Sequence, residues 1–401
     1  MADFETMVEA LRNPRLSGFG TTIFAEMSAL AIKTESINLG QGFPDTDGPA
    51  EVAAAAVHAI ENGPNQYPPL PGQPGLRTAI SEHQKRFYDL TWDPDTEVLV
   101  TAGATEAIAA TMFALCDTDD EIITFEPTYD SYSATIKMAG AIERPVLLRA
   151  PTDGDTSFSF DVDQLTASIN DKTRAILVNT PHNPTGKVLS RSELETIAAL
   201  AIKHDLVVIT DEVYEHMVFE GEHVPMAGLD GMRERTVSIS SAGKTFAFTG
   251  WKIGWVTAVS ELRNAIMTAK QFLTFVNAGP LQPAIETGLR LDDEYFTGLR
   301  DELLEKRDRL QAGLEAAGFD VFTCEGTYFL TADIRGVAAR NGLPNTSIDF
   351  CLALPEAAGV VAVPSEVFYD TVEAGRHFVR FAFCKKDEVL DAAIERLMTL
   401  A

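Results

Sequence analysis

Cysteine is sparse: the 401 residues hold four, Cys116, Cys324, Cys351 and Cys384, far apart and in apolar surroundings. That spacing excludes a disulfide framework and reads as reduced core thiols of a cytoplasmic protein. Positive charge is short as well, with 32 Lys and Arg against 59 Asp and Glu and a net charge of −27. Such a surface repels polyanions, which argues against nucleic acid or an anionic membrane as partner and fits an acidic, solvated exterior. Long apolar runs are missing; the longest clear one, 107–116, is about half of what a membrane span needs. The opening Met1-Ala2-Asp3-Phe4-Glu5 is acidic and lacks the charged-then-apolar order of a signal peptide. Seven histidines are scattered with no pair at metal-ligand spacing on a recognisable helix, so no metal is expected at the reaction centre. Gly18-Phe19-Gly20 and Gly40-Gln41-Gly42 each lack the third glycine of a dinucleotide fingerprint. There is no internal repeat and no low-complexity tail.

What is present is a chain with 45% hydrophobic residues, enough for about two domains with sizeable cores. Strand and helix patterns alternate from about 49 to 282, as in a large α/β domain with a mainly parallel sheet flanked by helices. Helical periodicity follows over 294–317, where Leu299, Leu303, Leu304, Leu310 and Leu314 keep one apolar face. That segment opens a smaller α+β domain running through strand-like stretches at 328–330, 360–363 and 378–383 to an amphipathic helix at 387–400. The expected division is a large domain at 49–285 and a small one at 286–401.

Three apolar strands lead into punctuated turns. Residues 206–210 run into Asp211-Glu212-Val213-Tyr214, and 175–179 run into Thr180-Pro181-His182-Asn183-Pro184-Thr185-Gly186. Ligands in open α/β sheets sit beyond the carboxyl ends of strands, so Asp211 is positioned to meet one, and a carboxylate there can keep a pyridine nitrogen protonated. Two prolines and a glycine fix the second turn and present Asn183 as a rigid donor. Residues 98–101 lead through Ala102-Gly103-Ala104-Thr105-Glu106 into a helical run, a ready phosphate site. Further on, Ser241-Ala242-Gly243-Lys244-Thr245 sets one lysine among small residues. A lysine that forms an imine needs such room, and desolvation to favour its neutral amine. A lysine between glycine and threonine is by itself more often an ordinary surface residue.

Taken together, these segments resemble the class I aminotransferases of the pyridoxal phosphate fold type I family over nearly the whole chain. The likeness rests on Gln41 to Asp45, Asn65 to Pro69, Thr101 to Glu106, Glu126 to Asp130, Pro181 to Gly186, Asp211 to Tyr214, Ser241 to Gly254 and Phe378 to Phe381, in that order. Within the family it is similar to the branch of kynurenine, methionine and glutamine aminotransferases and to actinobacterial N-succinyldiaminopimelate aminotransferases. The resemblance implies pyridoxal 5′-phosphate bound covalently at Lys244, which also moves the substrate proton. Asp211 would pair with the ring nitrogen, Tyr214 and Asn183 would meet the ring hydroxyl, and Tyr129 would stack on the ring. Gly103, Ala104, Thr105, Ser241 and Lys252 would cradle the phosphate, joined by Tyr67 from the other subunit of a homodimer with shared sites. Lys252 stands where many members carry arginine, so the charge is kept without the bidentate fork. Arg380 would clamp the substrate carboxylate with help from Asn183 and the backbone of Gly42, and the segment 1–48 would fold onto the small domain. Phe19, Phe24 and Phe368 fall in segments that line the side-chain pocket of such proteins.

Each of these residues has a plainer reading. Arg380 in an alternating run is more often a surface or ion-pair residue, and Tyr67, Tyr129 and the three phenylalanines are equally ordinary packing groups. The reaction expected is transfer of an amino group from an L-amino acid to a 2-oxo acid, with 2-oxoglutarate as the expected acceptor. A long or bulky donor is expected, N-succinyl-LL-2,6-diaminopimelate or an aromatic or sulfur amino acid, and Arg15 is a weak candidate for a distal carboxylate. Two alternatives stay open at this level. A carbon-sulfur β-lyase would use the same Lys244, Asp211 and Arg380, and a non-catalytic effector-binding protein would keep only the fold.

Overall fold

The computed structural model describes residues 11, 13–152 and 156–401. The acidic opening, residues 1–5, lies outside them. In chain order the strands are β1 (Ile37–Asn38), β2 (Val98–Thr101), β3 (Glu121–Glu126), β4 (Ile142–Arg149), β5 (Ser159–Phe160), β6 (Thr173–Asn179) and β7 (Val207–Asp211). They continue with β8 (Thr236–Ser241), β9 (Gly254–Thr257), β10 (Asp320–Val321), β11 (Phe329–Asp333), β12 (Val360–Val361), β13 (Val363–Pro364) and β14 (Phe378–Ala382). Eight of them form one sheet in the order β2-β9-β8-β7-β6-β3-β4-β5. Strands β8, β7, β6, β3 and β4 pair in parallel, while β9 runs against both its neighbours and β5 against β4.

Burial on both faces explains why the central strands read as unbroken apolar runs. Ala175, Leu177 and Ile209 pack with Ala107, Ile108 and Met112 of the helix Gly103–Leu115 and with Ile266 of the helix Ser260–Lys270. The alternate residues Ile176, Val178 and Val208 pack on the other face with Leu194, Ile197 and Ala201 of the helix Arg191–Lys203. Each such side chain contributes roughly 1.5–3 kcal/mol of burial, so neither face tolerates a polar residue. The last helix is set by its own sequence: Ser190 and Glu193 close a reciprocal capping box.

The register of the sheet also brings particular strand ends together. Asn179 lies opposite Asp211 in the register of β6 and β7, and Thr101 lies opposite Gly254 in that of β2 and β9. Beyond Thr101 the chain turns sharply through Gly103, at φ +75°, into its helix. A Cβ on Gly254 would sit 2.7 Å from the Gly103 carbonyl carbon and 2.8 Å from the Ala104 nitrogen, so only glycine lets the turn close against the sheet.

A second, antiparallel sheet has the order β10-β11-β14-β13, with Arg380 of β14 opposite Thr331 and Val363. The stretch 360–363, expected as one strand, is divided: β12 pairs in parallel with β1, and β13 pairs with β14. The two halves serve different partners, and the chain changes course between them. Through β1 the early segment joins this second sheet's core, where Met27, Ala31 and Leu39 pack with Phe350, Leu354 and Phe381. The helix Asp293–Ala316 reaches both cores, burying Phe296 beside Trp92 at one end and Leu303, Leu310 and Leu314 beside Phe319 at the other. No helix of the described residues is long and apolar enough to cross a membrane.

Candidate active site

Twelve of the residues selected from sequence line one cavity of about 300 Å³: Gly42, Gly103, Ala104, Thr105, Tyr129, Asn183, Asp211, Tyr214, Ser241, Lys244, Lys252 and Arg380. The cavity lies where the ends of β2, β6, β7 and β8 face β14 and the segment after β1, so both sheets contribute. Phe24, Phe329, Ile108 and Ile253 supply apolar wall.

Lys244 extends from the turn after β8. Its Nζ donates to the Tyr328 hydroxyl at 3.0 Å, and that hydroxyl donates to the Gly42 carbonyl at 2.6 Å. Burial lowers the lysine pKa to about 8, with Arg380 and Lys252 adding to the effect and Cys384 and Asp211 opposing it. A large share of the amine is therefore neutral near pH 8. Tyr214 stands edge-on to Tyr328, ring centroids 5.2 Å apart, and burial pushes both hydroxyls well above the ordinary phenol value.

Asp211 ends β7 and accepts from the Tyr132 hydroxyl at 2.7 Å. Asn179 holds the same turn from the neighbouring strand: its Nδ2 donates to the Asp211 carbonyl at 2.9 Å, and its Oδ1 accepts from the Asn183 backbone at 2.8 Å. Burial raises the Asp211 carboxyl to about 6, and the bond from Tyr132 offsets part of that rise. Asn183 in turn accepts from Arg380 Nη1 at 2.9 Å through Oδ1, leaving its amide protons free to donate elsewhere.

Arg380 is 2% exposed and makes no ion pair among the described residues. Its Nη2 donates to the Gly40 carbonyl at 3.1 Å, its Nε has no partner, and the guanidinium lies 4.0 Å from the centre of the Phe329 ring. Burial lowers its pKa to about 10, so it stays a cation at neutral pH. At the opposite end the helix Gly103–Leu115 begins without a side-chain cap, and Lys252 Nζ would lie 3.3 Å from a Cβ placed on Gly103. The free amides, the helix dipole and the ammonium group all favour an anion there.

Three unneutralised charges thus surround one space: a cationic cradle at the helix start, a carboxylate at mid-cavity and a guanidinium at the far end. Pyridoxal phosphate fits this pattern, with its phosphate at the cradle, its protonated ring nitrogen at Asp211 and room beside Arg380 for an amino acid carboxylate.

Four sequence-selected residues lie elsewhere. Tyr67 is 81% exposed, in edge contact with Phe275 at 5.5 Å. Phe19 stands apart from the cavity, with Lys137 Nζ 5.0 Å from its ring, and Arg15 donates to the Met138 carbonyl at 3.3 Å; both lie against the helix Asp130–Ala139. Phe368 is buried and does not line the cavity; its ring lies 5.8 Å from, and tilted by 31° to, that of Phe24, which does line it. Sequence reasoning assigned no role to Tyr132, Asn179, Tyr328 or Phe329. The register of Tyr132 was available, since it lies one helical turn beyond Tyr129, but its partner Asp211 is 79 residues away.

The state of Asp211 gives a measurable sign. A carboxyl whose folded pKa is about 6 against 3.8 free destabilises the fold once ionised. Stability contributed by the protonated form is present below about pH 4 and lost as pH rises to about 6. Without ligand, Asp211→Asn escapes this loss, and urea unfolding should show the variant gaining on the unsubstituted chain by up to about 3 kcal/mol across that window. A difference that stays constant from pH 4 to 7 contradicts the assignment.

Comparison with known proteins gives the same picture. The family model described as "Aminotransferase class I and II" matches residues 34–397. The solved N-succinyldiaminopimelate aminotransferase from Mycobacterium tuberculosis is similar at 49% identity and a TM-score of 0.93, covering 97% of this chain and 100% of that one. Methionine aminotransferase of Escherichia coli K12 is 38% identical over 388 residues, 96% of this chain and 97% of the relative. Mouse kynurenine–oxoglutarate transaminase 3 is 39% identical over 403 residues, 95% of this chain and 88% of the relative. With that likeness and this cavity, the chain belongs to the class I and II aminotransferases and is a pyridoxal-phosphate-dependent transaminase of fold type I.

Proposed function

We propose that this transaminase takes the amino group of N-succinyl-LL-2,6-diaminopimelate and passes it to 2-oxoglutarate, with kynurenine and methionine as the next donors to consider. The observation that carries the choice is the 49% identity with the Mycobacterium tuberculosis enzyme over nearly both full lengths. The oxoglutarate acceptor is supported by the name of the mouse relative. An apolar wall of Phe24, Phe329 and Ile108 suits a long methylene, aromatic or thioether side chain. Besides Arg380, no arginine of the described residues lines the cavity, so a β-carboxylate close to the α-carbon finds no bidentate partner.

In this reading Lys244 is the covalent attachment point of the cofactor. With the cofactor bound, its Nζ would be the base that takes the proton from the substrate α-carbon and holds it for return. Pyridoxal phosphate, when bound, supplies an electron sink for the pair that the departing proton leaves behind. Asp211 keeps the ring nitrogen protonated, and Tyr132 holds that carboxylate in place. Tyr214 and the free amide protons of Asn183 donate to the ring hydroxyl, and Tyr129 covers the ring face. Ser241, Lys252 and the amides of Gly103, Ala104 and Thr105 hold the phosphate. Arg380 binds the substrate carboxylate, with its orientation set by Asn183 and Gly40. Tyr328 keeps Lys244 near the reacting atoms and ties it to the segment containing Gly42.

The domain division at 49 and 286 is part of the same proposal. The boundary at 286 falls inside the helix Gln282–Leu289, which packs on the helices Ala50–Asn62 and Pro74–Tyr88; that packing supports ending the large domain a few residues later, after Leu289. A cytoplasmic setting is supported by four free cysteines. A homodimer is supported by the exposed apolar group of Tyr67, Phe272, Leu273 and Phe275, of which Phe272 is 82% exposed. In a dimer Tyr67 would reach the phosphate of the partner's site, and the symmetry would be closed and two-fold.

Two measurements test these statements. A donor panel with 2-oxoglutarate as acceptor should rank the succinylated diamino acid first by kcat/KM, followed by kynurenine and methionine, with aspartate poor. Aspartate as best donor by about tenfold or more, equal to about 1.4 kcal/mol of transition-state binding, overturns the donor while leaving the transaminase intact. Sedimentation equilibrium should give a dimer at assay concentrations, and a fully active monomer contradicts the shared site.

A further inference from the structure

Away from the catalytic cavity, the fold gathers side chains that the chemistry above does not use. His83 lies on the helix Pro74–Tyr88, and Glu215 and His216 follow Tyr214 beyond β7. The Nε2 atoms of His83 and His216 are 2.8 Å apart although 133 residues separate them. With a carboxylate oxygen of Glu215, these ligand atoms all lie within 4.8 Å of one another. None of the three residues lines the catalytic cavity.

Two readings compete. In the plain one, two neutral core imidazoles share a hydrogen bond inside an aromatic cluster, with His216 4.5 Å from Phe296 and His83 4.7 Å from Phe87. The charge balance favours something more. Glu212 and Glu215 are 2% and 5% exposed, and neither has a lysine or arginine at ion-pair distance among the described residues. The nearest candidate cation is His223, whose Nε2 is 3.1 Å from Glu212. One imidazolium at most faces two buried carboxylates, and a buried carboxylate without a counter-charge is costly. Glu215 is otherwise held by the Ser240 hydroxyl at 2.6 Å and, more loosely, by Gln84 at 3.5 Å. Arg86, on the same helix as His83, is engaged by Asp293 and the Phe87 ring.

We propose that His83, His216 and Glu215 bind one divalent cation of the zinc class per chain. Two imidazoles and a carboxylate are a donor set suited to zinc, cobalt or nickel rather than to magnesium or calcium. Bonds of about 2.0–2.1 Å in a tetrahedral arrangement put the two nitrogens roughly 3.3 Å apart. The observed pair therefore has to open by only roughly 0.5 Å, within the reach of small side-chain rotations. His216 is the least buried of the three. The His83 Nδ1 is buried without a partner, whereas a metal-bound imidazole usually donates its second N–H. Loss of such an outer bond weakens binding about 10–100-fold, so the site is expected to exchange its ion and not to hold it as a structural zinc does.

The test dialyses the holoenzyme to equilibrium against a series of zinc chloride concentrations and counts, by mass spectrometry, the zinc held per chain in excess of the dialysate. Cobalt(II) in a parallel sample reports nitrogen and oxygen ligation by visible absorption. Zinc is expected at one ion per chain, with the cobalt spectrum of a low-coordinate site. Both signals should fall by more than about tenfold in affinity in His83→Gln and in His216→Gln, and stay unchanged in the surface control His58→Gln. His83→Phe, which keeps the aromatic packing, guards against loss through misfolding and should lose the ion while retaining the circular dichroism of the unsubstituted protein. No excess ion in the unsubstituted holoenzyme, or an equal excess in all variants, overturns the proposal.

Discussion

A guanidinium buried without a carboxylate is the constraint around which this molecule is organised. Arg380 is 2% exposed, and its charge is met by the Asn183 side chain, the Gly40 carbonyl and the rings of Phe329, Phe24 and Phe368, with no carboxylate at ion-pair distance among the described residues. Neutral oxygens and a ring face soften the desolvation of a cation but do not cancel it, a penalty of several kcal/mol that the rest of the fold has to offset. Asp211 is in the matching position, a buried carboxylate with only a tyrosine hydroxyl and backbone amide to hold it. Neither group has a side-chain counter-charge at ion-pair distance among the described residues, and a ligand carrying the opposite charges would supply one to each. The catalytic site therefore leaves charges that the fold itself does not balance, and a charged cofactor and substrate would gain binding energy there.

Keeping these groups in register requires two sheets of different construction. The parallel strands β6, β7 and β8 end together and so bring Asn183, Asp211 and Lys244 to one edge. The antiparallel sheet contributes Arg380 from β14 and, through the preceding residue of β11, Tyr328. The early segment closes the third side, since Gly40 and Gly42 accept from Arg380 and Tyr328 across separations of 340 and 286 residues. A Cβ on Gly42 would lie 2.6 Å from the Phe329 ring, so the backbone approaches this closely only because no side chain intervenes. Lys244 thus senses both bodies at once, through the turn that carries it and through the Tyr328 hydroxyl.

Much of this was legible from the chain. Central strands announce themselves because burial on both faces demands unbroken apolar runs, and the turns after them announce themselves through Pro, Gly and Asn. Asp211, Asn183 and Gly103 each sit at such a run-to-turn junction and Lys244 sits among small residues; they meet in one cavity with Gly42, Tyr129, Lys252 and Arg380, whose roles came from the family resemblance. Residues whose importance comes from a distant partner were not legible. Tyr132 matters through Asp211, Tyr328 through Lys244, and His83 through His216, contacts that no local period encodes. The choice among the phenylalanines turned on a helix start. Thr22 caps a helix that begins at Ile23, which turns Phe24 to the cavity and leaves Phe19 before it, against another helix. The division of 360–363 between two sheets was equally hidden, because an apolar run does not state which strands it will pair with.

The central claim is that the convergence of these charges exists to hold a cofactor imine at Lys244 and nowhere else. Reduction of the holoenzyme with borohydride fixes that bond permanently, and peptide mass mapping then locates it. The account predicts a pyridoxyl label on Lys244 alone, lost from Lys244→Ala while the variant still binds cofactor without a covalent bond. A label on any other lysine, or an unchanged label in the variant, would contradict it.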